Sequence, residues 1–172
     1  MSQLHPIPVS ELHQNVFTAI GKEWMLITAE TEKDGKPTAN TMTASWGGLG
    51  RLWNKDVAFA FIRPQRYTKE FVDNADTFSL CFFGGEKMQE LGYLGTVSGR
   101  DEDKIAKSGL TLTHIDGVPC FEEATTVLLC RKMYVQTLRE DCFTDRAVME
   151  NSYPQRDFHD VYVAEIMKVL VK

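Results

Sequence analysis

Apolar residues in this chain recur mostly with a period of two, in short runs bounded by turn residues, which is the signature of strands. The clearest run is Asp76 to Phe83. There Phe78, Leu80 and Phe82 alternate with Thr77, Ser79 and Cys81 before Gly84-Gly85 stops the pattern. Glu23 to Thr31 and Pro37 to Trp46 read as the two arms of a hairpin, joined through Asp34-Gly35, a dipeptide suited to the positive-φ positions of a type I′ turn. Gly47-Gly48-Leu49-Gly50 reads as a flexible bend, and Asp56 to Arg63 as a well-buried strand. Two long β segments, Thr125 to Leu138 and His159 to Val171, close the chain. Short β pieces flank Asp116-Gly117 between Leu110 and Cys120.

Helical spacing is confined to short stretches between these runs. Ser10 to Phe17 reads as a helix with Ser10 as its N-cap, ending by Gly21. In Gln65 to Asn74, Tyr67, Phe71 and Val72 share one face and Lys69, Glu70 and Asp73 the other. Glu86 to Leu94, Asp101 to Lys107 and the polar stretch Thr144 to Asn151 are further helical candidates. Strands at irregular spacing, without regular βαβ alternation, predict a mainly β chain, an antiparallel barrel with inserted helices rather than a Rossmann sheet. No G-x-G-x-x-G opens a helix after the first strand, so a dinucleotide fingerprint is absent. With no repeat, linker or low-complexity tract, residues 1–172 are expected to form a single domain.

Composition narrows the functional classes. A chain of 172 residues, 43% hydrophobic and 25% charged, can form a core without disulfides or a structural metal. Its 24 acidic and 19 basic side chains leave a formal charge of −5, and there is no basic tract, which argues against a general nucleic-acid binder. The longest apolar runs fall far short of the ~20 residues that span a bilayer. The start, Met1-Ser2-Gln3-Leu4-His5-Pro6, has neither the basic nor the apolar part of a signal peptide, so the expected location is cytoplasmic. Cys81, Cys120, Cys130 and Cys142 form no Cys-x-x-Cys pair. They are expected to be free thiols, with no metal site.

Two segments carry candidate chemistry. Asn40-Thr41-Met42-Thr43-Ala44-Ser45-Trp46-Gly47-Gly48 is dense in hydroxyls and small side chains, which let a flat heteroaromatic ligand approach the backbone; it also reads as an edge strand entering a turn. Arg63-Pro64-Gln65-Arg66-Tyr67-Thr68 runs from a strand end into a helix. Two guanidiniums, a phenol, a hydroxyl and uncapped N–H groups can converge there on a phosphate, and the same spacing fits solvated surface arginines equally well.

Together with Phe82-Phe83-Gly84, Ser98-Gly99-Arg100-Asp101-x-Asp103-Lys104 and the closing His159-Asp160-Val161-Tyr162-Val163-Ala164-Glu165-Ile166, these segments occur in the order found in the flavin reductase-like family. Residues 15 to 172 resemble these FMN-binding split β-barrel proteins of antiparallel Greek-key type, which include flavoredoxin. The resemblance implies that FMN lies against Asn40, Thr41, Met42, Thr43, Ala44, Ser45 and Trp46, with its phosphate on Arg63, Arg66, Tyr67 and Thr68. It implies Lys104 as a cation near the phosphate or the ring, and Cys81, Phe83 and Gly84 passing close to the flavin. His159 is implied at a nicotinamide substrate. Hydride transfer to a flavin needs no protein acid or base, so the absence of a catalytic triad is consistent with an oxidoreductase, and no catalytic residue is assigned. The resemblance admits two roles: an enzyme passing electrons from NAD(P)H or a protein donor through FMN to an acceptor, or a non-enzymatic electron-transfer module without a nicotinamide site. It also implies a homodimer, and Trp46, Trp53 and Tyr93, in Gly-flanked loops that would otherwise expose them, are expected at its interface.

Overall fold

The computed structural model describes residues 3–172. A short strand β1 (His5–Ile7) and a 3-10 turn (Val9–Glu11) lead to helix α1 (Val16–Gly21). Asn15, not Ser10, caps α1: its side chain accepts from the Thr18 amide, and Ser10 lies inside the 3-10 turn. Strands β2 (Met25–Lys33) and β3 (Lys36–Ala44) form the expected hairpin, with Asp34 and Gly35 both at positive φ (52° and 73°).

The Gly47–Gly50 segment is not a bend but most of strand β4 (Gly47–Leu52), which pairs with β5 (Lys55–Ile62) through a turn in which Trp53 and Asn54 have φ of 52° and 57°. Its glycines are covered by a partner residue. The Phe59 ring lies 3.8 and 3.7 Å from where Cβ atoms on Gly48 and Gly50 would stand, restoring the packing that the missing side chains would otherwise forfeit. Helix α2 (Tyr67–Asn74), strand β6 (Thr77–Phe82) and helices α3 (Met88–Thr96) and α4 (Lys104–Ser108) follow. Then come the hairpin β7 (Leu112–Ile115) and β8 (Val118–Phe121), strand β9 (Thr126–Thr137), helix α5 (Arg146–Ser152) and strand β10 (Asp160–Val171).

The main sheet is antiparallel, with strand order β3-β2-β6-β9-β10-β5-β4 and β1 paired to β10. Its edge strands β3 and β4 are joined by only Ser45 and Trp46. The Cα atoms of Ala44 and Gly47 can therefore be at most about 11 Å apart, and the sheet must curl until its edges meet at that corner. The result is a split barrel. Met25, Ile27, Phe78, Leu80, Phe82, Leu128 and Tyr162 fill its interior, closed by Ala19 and Ile20 of α1 and Phe71 and Val72 of α2. Outside it, Leu26, Cys81, Phe83 and Leu129 are buried under Leu91 and Leu94 of α3 and under Val118, Cys120 and Phe121. Both faces of β6 are thus covered, and Ser79, on the second face, satisfies its hydroxyl by donating to the Pro119 carbonyl at 2.6 Å. Among the described residues no helix is long and apolar enough to cross a membrane.

Candidate functional site

The corner where the sheet edges meet opens into a groove. Its centre, a cavity of about 250 Å³, is lined by Met42, Thr43, Ala44, Ser45, Trp46, Phe61, Arg63, Arg66 and His159. Through Thr43 and Ser45 it continues toward Trp24, Leu91, Gly95 and Thr96, and through Arg66 toward Thr68, Ser98 and Lys104. Helix α3 is clamped to β3 at this point. The Thr43 hydroxyl donates to the Leu91 carbonyl, and a Cβ on Gly95 would stand 3.1 Å from the Thr43 Cβ, so a larger residue would push helix and strand apart. Trp24, at the far end, has φ of 63°, a conformation that is strained for a bulky residue.

Arg63 and Arg66, three residues apart, have different surroundings. Arg63 forms an ion pair with Asp157, donates to the Ser152 carbonyl at 2.9 Å and lies over the Tyr153 ring at 5.1 Å. Its charge is matched. The Arg66 guanidinium makes one hydrogen bond to the described residues, from Nη1 to the Gly95 carbonyl at 2.9 Å, and its burial without an acid lowers its pKa. Beside it stands Lys104, only 3% exposed, whose ammonium donates to the carbonyls of Leu94 (2.8 Å) and Val97 (3.0 Å) at the C-terminal end of α3. Burial, and then the Arg66 charge, pull the Lys104 pKa down to about 8.

Neither cation pairs with a carboxylate of the described residues. Between them begins α2, where Arg66 occupies the N-cap position without a side-chain cap, leaving the Tyr67 and Thr68 amides for another acceptor. Thr68 is fully buried, with its hydroxyl accepting from the Asn40 amide at 2.9 Å. Tyr67 points elsewhere. Its hydroxyl accepts from Lys33 at 2.7 Å, and the Arg100 guanidinium lies 4.5 Å from its ring centre. Gly99 seats the Ser98–Arg100 turn against this pair, since a Cβ there would fall 2.4 Å from the Asn40 Oδ1.

At the other end of the groove, His159 is 8% exposed. Its Nδ1 is 2.8 Å from the Tyr153 hydroxyl, and its ring is 5.0 Å from that of Trp46. Burial and the Arg63 charge lower its pKa to about 4, so the imidazole is neutral at pH 7.

Of the residues named from the sequence, Met42 to Trp46, Arg63, Arg66, Tyr67, Thr68, Lys104 and His159 line the connected cavities. Asn40 supports Thr68 from beneath. Thr41 instead faces β2, bonded to the Thr28 hydroxyl (2.8 Å) and the Ile27 carbonyl (3.1 Å). Cys81 and Phe83 are buried in the outer core, where burial lifts the Cys81 thiol pKa to about 12, and Gly84 sits in the following turn at φ 60°. The sequence pattern assigned no site role to Gly95, Phe61 or Tyr153, which carry no motif of their own. Cys81, Cys120 and Cys130 are buried free thiols and Cys142 is an exposed one. No cluster of metal-ligating side chains occurs among the described residues.

The arrangement can bind an anion at the start of α2 and a flat group along β3. The chain is similar in structure to an FMN-binding domain of a flavin reductases-like enzyme from Shewanella baltica OS155, at 15% identity over 99% of this chain and 79% of that one, with a TM-score of 0.66. It is likewise similar to the flavoredoxins of Methanosarcina acetivorans (23% identity, 96% and 76% coverage, TM-score 0.64) and Desulfovibrio vulgaris Miyazaki F (20%, 96% and 77%, 0.66). Identities this low speak for the shared fold. No curated protein sequence matches. The family model for the flavin reductase like domain matches residues 17–172, which include every groove-lining residue, and the chain belongs to that family.

Proposed function

We propose that the chain is a single-domain FMN-binding oxidoreductase that passes electrons from NAD(P)H or a protein donor to an acceptor, working as a homodimer in the cytoplasm. The observation that carries this reading is the pair Arg66 and Lys104, two cations held together at a helix start with no carboxylate between them. Such a pair is costly when empty and is relieved by a doubly charged anion such as the FMN phosphate. Arg66 and Lys104, with the Tyr67 and Thr68 amides, would hold the phosphate. Thr43, Ala44 and Ser45 would present hydroxyls and backbone groups to the polar edge of the ring.

When bound, FMN supplies the two-electron chemistry itself. The protein's part is to orient it and to keep water away. Trp46 and Phe61 wall the groove, and neutral His159 offers a ring nitrogen without adding charge. The exposed Trp53 and Tyr134, whose rings lie 6.1 Å apart, support burial of an aromatic surface by a second copy.

The test is a titration with FMN and with riboflavin, read by quenching of flavin fluorescence. FMN is expected to bind at least tenfold more tightly than riboflavin, and equal affinities would refute the phosphate site. Anaerobic mixing of the FMN-loaded protein with NADH or NADPH then separates an enzyme, which bleaches the flavin band near ~450 nm, from an electron carrier, which does not.

A further inference from the structure

A second and larger cavity, of about 770 Å³, opens beside the flavin groove between α1 and α5. Phe17 and Ile20 of α1 form one wall, Leu138, Phe143 and Val148 the other. Its floor is Trp46, which with Ser45 and Phe61 also lines the groove, so anything seated here reaches the residues beside the proposed flavin ring. None of its fifteen lining residues carries a charge. The nearest groove cation, Arg63, is matched by Asp157.

The wall between cavity and groove is a continuous chain of rings. Trp46 lies 5.0 Å from His159, His159 5.6 Å from Tyr153, and Tyr153 5.9 Å from Phe143. A phosphate-bearing ligand would lose water in this cavity without gaining a counter-charge. A flat uncharged ring would meet the aromatic side chains of Phe17, Trp46, Phe61, Phe143 and Tyr153 among aliphatic ones.

We propose that this cavity binds the second substrate, and that this substrate is a neutral planar aromatic carbonyl compound of two or three fused rings, such as a quinone. The assignment to a substrate rests on the flavin reading; the choice of a neutral aromatic rests on the cavity alone. Val148 and Phe17 guard the mouth at 51% and 89% exposure, where a charge can be introduced without touching either core.

The test is equilibrium dialysis of the FMN-loaded protein against 2-(hydroxymethyl)anthraquinone and anthraquinone-2-sulfonate, which share one ring system and differ in charge. The neutral compound is expected to bind at least tenfold more tightly. Val148→Asp, and independently Phe17→Asp, are expected to weaken it about tenfold while FMN affinity, titrated on the same samples, is unchanged. Equal affinities for the two compounds, or indifference to both substitutions, overturn the proposal. So does a shift from dimer to monomer in sedimentation on Val148→Asp with no change in ligand affinity, since the cavity would then be a contact between copies. Anthraquinone discrimination in a protein that fails to bind FMN leaves the cavity assignment standing and overturns the flavin reading instead.

Discussion

The two arginines of the Arg63–Thr68 segment have the same charge and lie one turn apart in sequence, yet the fold uses them in opposite ways. Arg63 is spent on structure: with Asp157 and the Ser152 carbonyl it fastens the end of β5 to the segment that leads into β10. Arg66 is left unmatched beside a second buried cation. On the proposed reading, a charge becomes a binding group when the fold withholds its internal partner, because a neutralised guanidinium has little left to offer an incoming phosphate.

The comparison is broken or sharpened most directly by truncating each arginine. Arg66→Ala is expected to weaken FMN binding by about 10- to 100-fold, the loss of a charge-assisted bond of about 1.5–3 kcal/mol, and to leave riboflavin almost unchanged. Arg63→Ala is expected to lower the midpoint of thermal unfolding, because it leaves the Asp157 carboxylate with Gln65 and no cation, and to affect FMN and riboflavin equally. If the two variants exchange these behaviours in paired flavin titrations, the assignment of the phosphate to Arg66 is wrong.

Lys104 gives the next largest effect, and its sign follows from its depressed pKa. Only the protonated amine attracts a phosphate, so FMN affinity is expected to fall by up to about tenfold per pH unit above pH 8, while riboflavin affinity stays flat over the same range. Without flavin the trend is reversed in stability. Between about pH 8 and the ordinary lysine value of 10.5, the unfolded chain holds a proton at this lysine that the folded chain has released, so the contribution of Lys104 rises with pH across that window, against the falling contribution of the buried thiols above pH 9. Lys104→Met should abolish the slope in FMN affinity and remove the rising contribution to stability, which is read as the difference between the variant and the native protein in denaturant unfolding at several pH values.

His159, on the neutralised side, should titrate in a different range. Its pKa is lowered from 6.5 to about 4, so its contribution to stability is present above pH 6.5 and is lost as the pH falls toward 4. Unfolding curves between pH 4 and 7 for the native protein and His159→Gln should differ in slope, and parallel curves would refute a buried neutral imidazole. The smallest change is Thr68→Val, which deletes one neutral hydroxyl and keeps the shape. It is expected to leave the buried Asn40 amide unpaired and lower the midpoint of thermal unfolding, with a change in FMN affinity smaller than that of Arg66→Ala.

Much of the fold was legible because strand periodicity and turn chemistry are local. The alternation from Thr77 to Phe82, the Asp34-Gly35 turn and the long closing strands needed only neighbouring residues to be read. Two elements were misread for equally local reasons. Ser10 is as good an N-cap as Asn15, and the glycines of β4 have no strand preference of their own until Phe59 covers them. In the candidate site, the hydroxyl-rich end of β3 and the start of α2 stood out as chemistry-bearing segments. That Thr41 turns to β2 and that Cys81 and Phe83 lie in the outer core depends on side-chain faces that only the packed sheet defines.

By itself, then, the sequence determined the strands, the order of its motifs and hence the family, since each is carried by the type and spacing of nearby residues. Only the tertiary structure decided which charges remain unmatched. Asp157 reaches Arg63 across 94 positions, and no carboxylate of the described residues meets Arg66 or Lys104, because ion pairing depends on distance in space and on burial, neither of which is written in the separation along the chain.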